Sequence, residues 1–331
     1  MAWTCSAGTH ADLTAALVSA GLLHTPALAT AFGAVDRGAF VPSRSAAVAY
    51  ADAPQGIGWG ATISAPHMHA MCLELLGGVL GLQGGDPDGR PGKRDGVGGG
   101  GVGVDGGGGG DAPSTPPRRV LDVLDVGVGS GYLAAVLAVA LGSRGRVVGV
   151  DHVAELVSAA ADSLGRVGVP VALEGATPAT AAAAAAAVVA EAGGGAVVGA
   201  GDGSGDGGGD GGDGGDGGAA PSLRRNAPPG TVELHVADGR VGLAGRTWDA
   251  IHVGAAADGG VPPPALVAAL KVGGRMVVPV GGRRGAAGIG GGQVLVTVDR
   301  VAPGEGGVVI NEVCGVRYVP LCGEGEQRGA R

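Results

Sequence analysis

A strand, a glycine turn, a helix and a second strand ending in an acid run almost without interruption through residues 120–152. This succession constrains the chain more than any other feature. The segments read VLDVLDVGVGSGYLAAVLAVAL over 120–141 and GRVVGVDH over 145–152. A β-branched apolar run ends in Asp125, and Gly127, Gly129 and Gly131 form the turn. An Ala/Leu/Val helix follows, and the next apolar run ends in Asp151. Such a unit is the nucleotide-binding half of an open, doubly wound α/β sheet. The glycine spacing is one residue shorter than the dinucleotide fingerprint and leaves little room for a pyrophosphate. It suits a ligand with an adenosine and no phosphates, which is the description of S-adenosylmethionine. Asp151 is placed to accept hydrogen bonds from a ribose diol. Gly127 and Gly129 let the backbone approach the ligand, and the helix N-terminus behind them suits a carboxylate.

Glycine content decides how much of the chain builds this sheet. Of 73 glycines in 331 residues, 31 fall within 84–110 and 193–218. Tracts of this composition bury too little apolar area to offset their ordering entropy, so 83–117 and 175–229 are expected to be disordered insertions. Setting them aside leaves 241 residues, enough for one α/β domain with a full core. That core domain divides into an N-terminal helical region with a substrate and cofactor loop (1–82), a first half-sheet (118–174) and a second half-sheet with C-terminal strands (230–331). The alanine run at 177–191 has helical composition. The Gly-Asp repeat at 201–218 lacks the apolar position of calcium-binding β-helix repeats and reads as an acidic linker.

Local signals place the remaining elements. Helical composition covers 11–20, 26–35 and 66–76, with 37–65 as a loop carrying Tyr50, Asp52, Trp59 and Ser64. Strands are expected at 232–236, 248–253, 275–280, 293–299 and 308–316. Prolines 262–264 open a helix running to Leu270, with Lys271-Val272-Gly273-Gly274 as its stop. The net charge of −8 with no basic run argues against nucleic acid as a partner. Cys5, Cys72, Cys314 and Cys322 form no CxxC pair, which suits a reduced cytoplasmic setting. No apolar stretch has the length of a membrane span. His67, His69, His152 and His252 have no Cys or carboxylate at metal-ligand spacing, so no metal site is expected. A Ser-His-Asp hydrolase is not supported either, because Gly129-Ser130-Gly131 lies within the nucleotide turn.

The segment DAPQGIGWGATISAPHMHA at 52–70 makes the reading specific. With it stand Asp36-Arg37, DVGVGSG, VVGVDHVAELV, ADGRVG, WDAIHVGAAA, LKVGGRMVVPVG and GVRYVPL, in that order and with both glycine tracts falling between blocks. The chain resembles the protein-L-isoaspartate (D-aspartate) O-methyltransferases of the eukaryotic type. The resemblance implies a Rossmann-like S-adenosylmethionine-dependent methyltransferase fold with a small helical N-terminal region. It implies a monomeric enzyme that methylates the free carboxylate of L-isoaspartyl and D-aspartyl residues in damaged proteins and peptides. It assigns the catalytic hydroxyl to Ser64. Around the cofactor it places Ala61, Thr62, Ile63, Ser64, His69, Asp125, Val126, Gly127, Gly129, Asp151, His152, Asp238, Gly239, Cys322 and Gln327.

Two of these residues have plainer readings: Ser64 as a cap of the helix after Pro66, and Asp238 as the first residue of an Asp-Gly turn. The doubled VLDVLDV leaves Asp122 as a competitor for Asp125, and adjacency to Gly127 favours Asp125. Cys322 stands where the family pattern has Thr, which puts that cofactor contact in doubt, and the Tyr50 segment is longer than expected. A cofactor-binding adaptor of the same fold without turnover is the alternative function. RNA or small-molecule methylation has only the generic glycine turn in its favour.

Deleting both 83–117 and 175–229 is expected to leave folding and methyl transfer nearly intact, because loop closure costs only about 0.6 kcal/mol per doubling of length. Calorimetry checks this: a melting-temperature drop above about 5 °C, roughly a kcal/mol for a domain this size, would show that the tracts pack on the core.

Overall fold

The fold is a computed structural model that describes residues 5–43, 45–83, 119–173, 230–281, 292–304 and 306–329. The expected disorder of 83–117 and 175–229, and the helical alanine run, lie outside the described residues apart from position 83. Among the described residues no helix is long and apolar enough to cross a membrane.

Eight strands form the main sheet. In chain order they are β3 (Leu121–Val126), β4 (Gly145–Asp151), β5 (Val171–Leu173), β6 (Val232–Val236), β7 (Trp248–Val253), β8 (Leu270–Val280), β9 (Gln293–Arg300) and β10 (Val308–Val316). Their spatial order is β10-β9-β8-β7-β3-β4-β6-β5. All pairs from β8 to β5 are parallel, and β9 and β10 add an antiparallel edge. The order reverses between β3 and β7, so the crevice outside their carboxyl ends is the place for a ligand.

Parallel strands buried on both faces need apolar side chains at successive positions, and the alternation shows it. Val123, Val147, Val232, Ala250 and Val277 enter one core, while Leu124, Val148, Ile251, Met276 and Val278 enter the other. The first core takes in α1 (His10–Ser19), α2 (Pro26–Ala34), α4 (Pro66–Gly77), α5 (Tyr132–Leu141) and α6 (Ala154–Arg166). Helix α5 is apolar nearly all round, as befits a buried helix, whereas α6 buries Leu156, Val157, Ala160 and Leu164 on one stripe. Glu74 of α4 reaches the start of α2, accepting from His24 N, Thr25 N and Thr25 Oγ1 at 2.7–2.8 Å. A buried carboxylate thus satisfies donors that the α2 N-terminus leaves open.

The structure corrects two expectations. Segment 37–65 is not simply loop: it holds a 3-10 turn (Arg37–Phe40), α3 (Ala46–Ala49) and a hairpin of β1 (Gln55–Gly58) and β2 (Ala61–Ile63). The hairpin strands are too short for alternation to show, and the turn relies on Gly58 and Gly60, both at positive φ. The 275–280 strand begins at Leu270, directly after α7 (Pro264–Ala269), so 271–274 is strand and not a helix stop. Lys271 there bridges Asp122 Oδ2 at 2.7 Å and Asp249 Oδ2 at 2.8 Å. Two carboxylates on adjacent strands outweigh the helix dipole as its partner.

Gly149 at the centre of β4 has no spare volume: a Cβ there would lie 2.7 Å from Val128 Cγ2 and 2.8 Å from Leu234 Cδ2. Gly149→Ala is expected to cost about 1–3 kcal/mol by overpacking. Urea unfolding should show a lower midpoint at an unchanged slope.

Candidate active site

The glycine turn follows β3 because its backbone needs the left-handed region three times: φ is +72° at Gly127, +51° at Gly129 and +85° at Gly131. Asp151 at the end of β4 holds this turn. Its Oδ2 accepts from Gly129 N and its Oδ1 from Val153 N, each at 3.1 Å. Burial pushes its carboxyl up, against the pull of these two donors.

Over the turn lies a cleft of two lobes that share Thr62, Gly127, Gly129 and Gly254. The first lobe, open to solvent, spans about 520 Å³ and is lined by Ala61, Val126, Asp151, His152, Gly239, Cys322 and Gln327, with Val150, Ala255, Val319, Pro320 and Leu321. The second, also open, spans about 330 Å³ and is lined by Ile63, Ser64, His69 and Asp125, with Val128, Ser130, Tyr132, Leu133 and His252. Every expected site residue except Asp238 therefore lines one lobe or the other. Asp238 instead takes Arg240 N at 2.9 Å and Arg240 Nη2 at 2.7 Å, the ordinary turn geometry weighed against a cofactor role. Asp122 lines neither lobe and is held by Lys271.

The C-terminal segment closes the first lobe. Residues 319–321 pair with Ala256 through Ala256 N to Val319 O at 2.8 Å and Leu321 N to Ala256 O at 2.7 Å. Gln327, on α8 (Glu324–Gly329), donates from Nε2 to Trp59 O at 2.7 Å and accepts at Oε1 from His152 Nε2 at 2.6 Å. One amide thereby ties the β1–β2 hairpin tip to the end of β4. Trp59 at that tip is the one non-glycine residue at positive φ among the described residues, at +47°. Cys322 Sγ lies 4.0 Å from the same Gln327 Oε1, a weaker partner than a hydroxyl would be.

The second lobe rests on a buried ion pair. Asp125 and His252 face each other in the β3–β7 register, and His252 Nδ1 donates to Asp125 Oδ1 at 2.7 Å. Burial works against charge on His252, but hydrogen bonds to Asp125 and Cys72 carry its pKa up to about 10. His69 behaves oppositely: burial first, then the charges of Arg37 and His252, hold it well below the usual range. Ser64 does not cap α4, whose N-cap is Ala65 without a side-chain bond. Its hydroxyl instead interacts with the half-buried Tyr318 hydroxyl, which also meets Cys72 Sγ at 3.9 Å. Sequence reasoning gave no role to Tyr318, Tyr132 or His252. The available signal for His252 was its place one residue before the end of β7, matching Asp125 in β3. Among the described residues no group of three His, Cys, Asp or Glu could hold a metal ion.

Comparison with known proteins identifies the family. The family model described as protein-L-isoaspartate(D-aspartate) O-methyltransferase (PCMT) matches residues 8–86, 118–176 and 219–326. Protein-L-isoaspartate O-methyltransferase 1 of Arabidopsis thaliana is 34% identical over 93% of this chain and 90% of its own length. The Triticum aestivum protein-L-isoaspartate O-methyltransferase is 32% identical over 93% and 88%. A Plasmodium falciparum crystal structure, described as such a methyltransferase in complex with S-adenosyl-L-homocysteine, superposes with a TM-score of 0.56 at 19% identity. It covers 96% of this chain and 99% of that one, a likeness of fold. The chain belongs to the protein-L-isoaspartate(D-aspartate) O-methyltransferase family.

Proposed function

We propose that this protein transfers the methyl group of S-adenosylmethionine to the free carboxylate of L-isoaspartyl and D-aspartyl residues in damaged proteins. The observation that carries this reading is the joined cleft: the glycine turn and Asp151 in one lobe open directly onto Ser64 in the other. The first lobe fits an adenosine without phosphates. Among the described residues no Lys or Arg lines it, and Gly239 beside Val126 has no room for a side chain, since a Cβ there would lie 2.4 Å from Val126 Cγ1. Asp151, His152, Val126 and Gly239 would hold the nucleoside there, with Ala61, Thr62, Cys322 and Gln327 closing over it. Gly127, Gly129, Ile63, His69 and Asp125 would hold the amino-acid portion, and S-adenosylmethionine supplies an electrophilic methyl on a sulfonium.

The residues present match the small demand this chemistry makes. A carboxylate acceptor is ionised near pH 7, so no side chain has to remove a proton. What is left is orientation in a site poor in water, and Ser64, steadied by Tyr318, donates to and aims the acceptor oxygen. The neighbouring backbone amide nitrogen then attacks the ester carbonyl, loses its proton and expels methanol to give a succinimide, whose hydrolysis returns part of the material to aspartate. The described cysteines are free of disulfides, which supports a reducing cytoplasmic setting. The acidic balance offers nothing to nucleic acid.

Incubation with labelled S-adenosylmethionine and paired isoaspartyl and aspartyl peptides tests the proposal. Base-labile methyl ester on the isoaspartyl peptide alone is the expected result; cofactor binding without transfer would leave the adaptor reading in its place. Ser64→Ala should lower single-turnover transfer by roughly 10- to 150-fold, the equivalent of about 1.5–3 kcal/mol for a hydrogen bond to a charged group. Fold stability should fall by no more than about 1 kcal/mol, the worth of the one hydrogen bond to Tyr318, since Ser64 caps nothing.

The Asp125–His252 pair gives a pH signature. The folded pKa of His252, about 10, lies above its ordinary 6.5. The pair's stabilisation is therefore complete below pH 6.5 and is lost as pH rises through about 10. Asp125→Asn should cost roughly 3–5 kcal/mol at neutral pH and flatten the decline in stability on the alkaline side. Denaturant unfolding at a series of pH values reads both effects.

A further inference from the structure

Arg37 is fully buried in the 3-10 turn Arg37–Phe40, although it is a cation. Its Nε donates to Ala49 O at 3.1 Å, and its Cζ lies 5.7 Å from the centroid of the Tyr132 ring. Among the described residues Nη2 has no hydrogen-bond partner, and no carboxylate lies within ion-pair distance of the guanidinium. Burial lowers its pKa only to about 10, so it is charged at neutral pH. The remaining contact is Nη1 to His69 Nδ1 at 3.5 Å.

A guanidinium has five donors and no acceptor. It can meet His69 Nδ1 only if that nitrogen presents a lone pair, which places the ring proton on Nε2. The other groups around the ring act in the same direction. His252 on β7 is cationic and is balanced by Asp125 on β3. His67 on the same helix is occupied with Asp52 at 2.8 Å, and Tyr132 on α5 packs at 5.2 Å between ring centroids. A second proton on His69 would face Arg37 directly. His69 lines the lobe that holds Ser64.

We infer that Arg37 is a positioning residue that fixes His69 as a neutral imidazole with its Nε2–H offered to a carboxylate in the second lobe. The tautomer assignment stands on the Arg37 contact alone, whereas the carboxylate as its recipient rests on the methyltransferase reading. That carboxylate belongs either to the amino-acid portion of the methyl donor or to the isoaspartyl acceptor. Both place an anionic oxygen where an obligate neutral donor, backed by an uncompensated buried cation, attracts it without itself titrating.

Nitrogen-resolved NMR of the imidazoles in the unmodified, ligand-free protein tests the tautomer directly. His69 is expected to keep an unprotonated Nδ1 and a protonated Nε2 between about pH 5 and 8, the range in which histidine ordinarily titrates. A proton on Nδ1, or a titration midpoint inside that range, overturns the inference whatever the protein's activity. Arg37→Met should bring His69 into titration, and Arg37→Lys, which also only donates, should largely prevent this. S-adenosylhomocysteine affinity should be flat with pH in the unmodified protein. In Arg37→Met it should weaken as pH rises, by up to tenfold per unit, because binding then takes up a proton. 5′-Methylthioadenosine, which lacks the carboxylate, should not follow. If instead the KM for isoaspartyl peptide alone acquires that dependence, the acceptor is the recipient. If neither ligand's binding changes between Arg37→Met and the unmodified protein, the positioning role is lost. Should the Met variant fail to fold, the NMR of the unmodified protein still decides the tautomer. Failure of the unmodified protein to bind either nucleoside would count against the proposed function and leave the tautomer result standing.

Discussion

The ion pair of Asp125 and His252 sits at the one place in the sheet where strand order reverses, and the site is arranged around it. A parallel sheet diverges at its switch point, so the strand ends there need a contact that fixes their separation. A 2.7 Å bond between two nearly fully buried side chains in direct register provides that contact. Removing either partner would strand the other in a low-dielectric crevice. The geometry is therefore held more tightly than apolar packing alone would hold it. The glycine turn departs from β3 immediately after Asp125, and Gly254 N returns to Val126 O at 2.8 Å from the far side of the pair.

Asp151 plays the complementary part at the end of β4. Its carboxylate takes one donor from the turn and one from the start of α6, locking the loop whose left-handed glycines would otherwise be free to sample other conformations. The groups that would contact a nucleoside are thus already engaged with the protein. That preorganisation lowers the ordering cost of binding. The strain at Trp59 belongs to the same logic on the opposite wall: Gln327 grips its carbonyl and so holds the hairpin tip over the lobe.

The parts of this arrangement legible in the sequence are those that local chemistry dictates. Glycines at alternate positions after a β-branched run, and acids closing two strands, require no knowledge of distant contacts, and Asp125, Gly127, Gly129 and Asp151 were readable for that reason. The β1–β2 hairpin was not, because strands of four and three residues are held by a turn and by Gln327, which lies 268 positions away from Trp59 in the chain. Lys271 misled for a similar reason: a cation after a helix reads as a terminus signal until the fold brings Asp122 and Asp249 beside it. Asp238 was placed at the cofactor by its family motif, yet Arg240 two residues later satisfies it locally. Ser64 was ambiguous between cap and substrate contact; the structure removes the cap reading and gives its hydroxyl Tyr318 as a neighbour, which no spacing rule connects to it.

Charge in the second lobe follows from how few anions are built into it. Arg37 and His252 are both cationic at neutral pH and lie against His69, while Asp125 is the carboxylate lining that lobe. Asp52, whose charge also acts on Arg37, is already committed to His67 and Cys5 N. A lobe with this imbalance gains from admitting an anion and loses nothing by lacking a general base, since a carboxylate nucleophile arrives deprotonated. The same imbalance explains how His69 can serve as a donor while remaining neutral: added positive charge on that ring would raise the field it already sits in. A site of this kind selects its acceptor by charge and reach. On the proposed role of Ser64, discrimination between an isoaspartyl and an ordinary aspartyl carboxylate would fall to Ser64 and the hairpin wall, which would set how far the oxygen must extend beyond the peptide backbone.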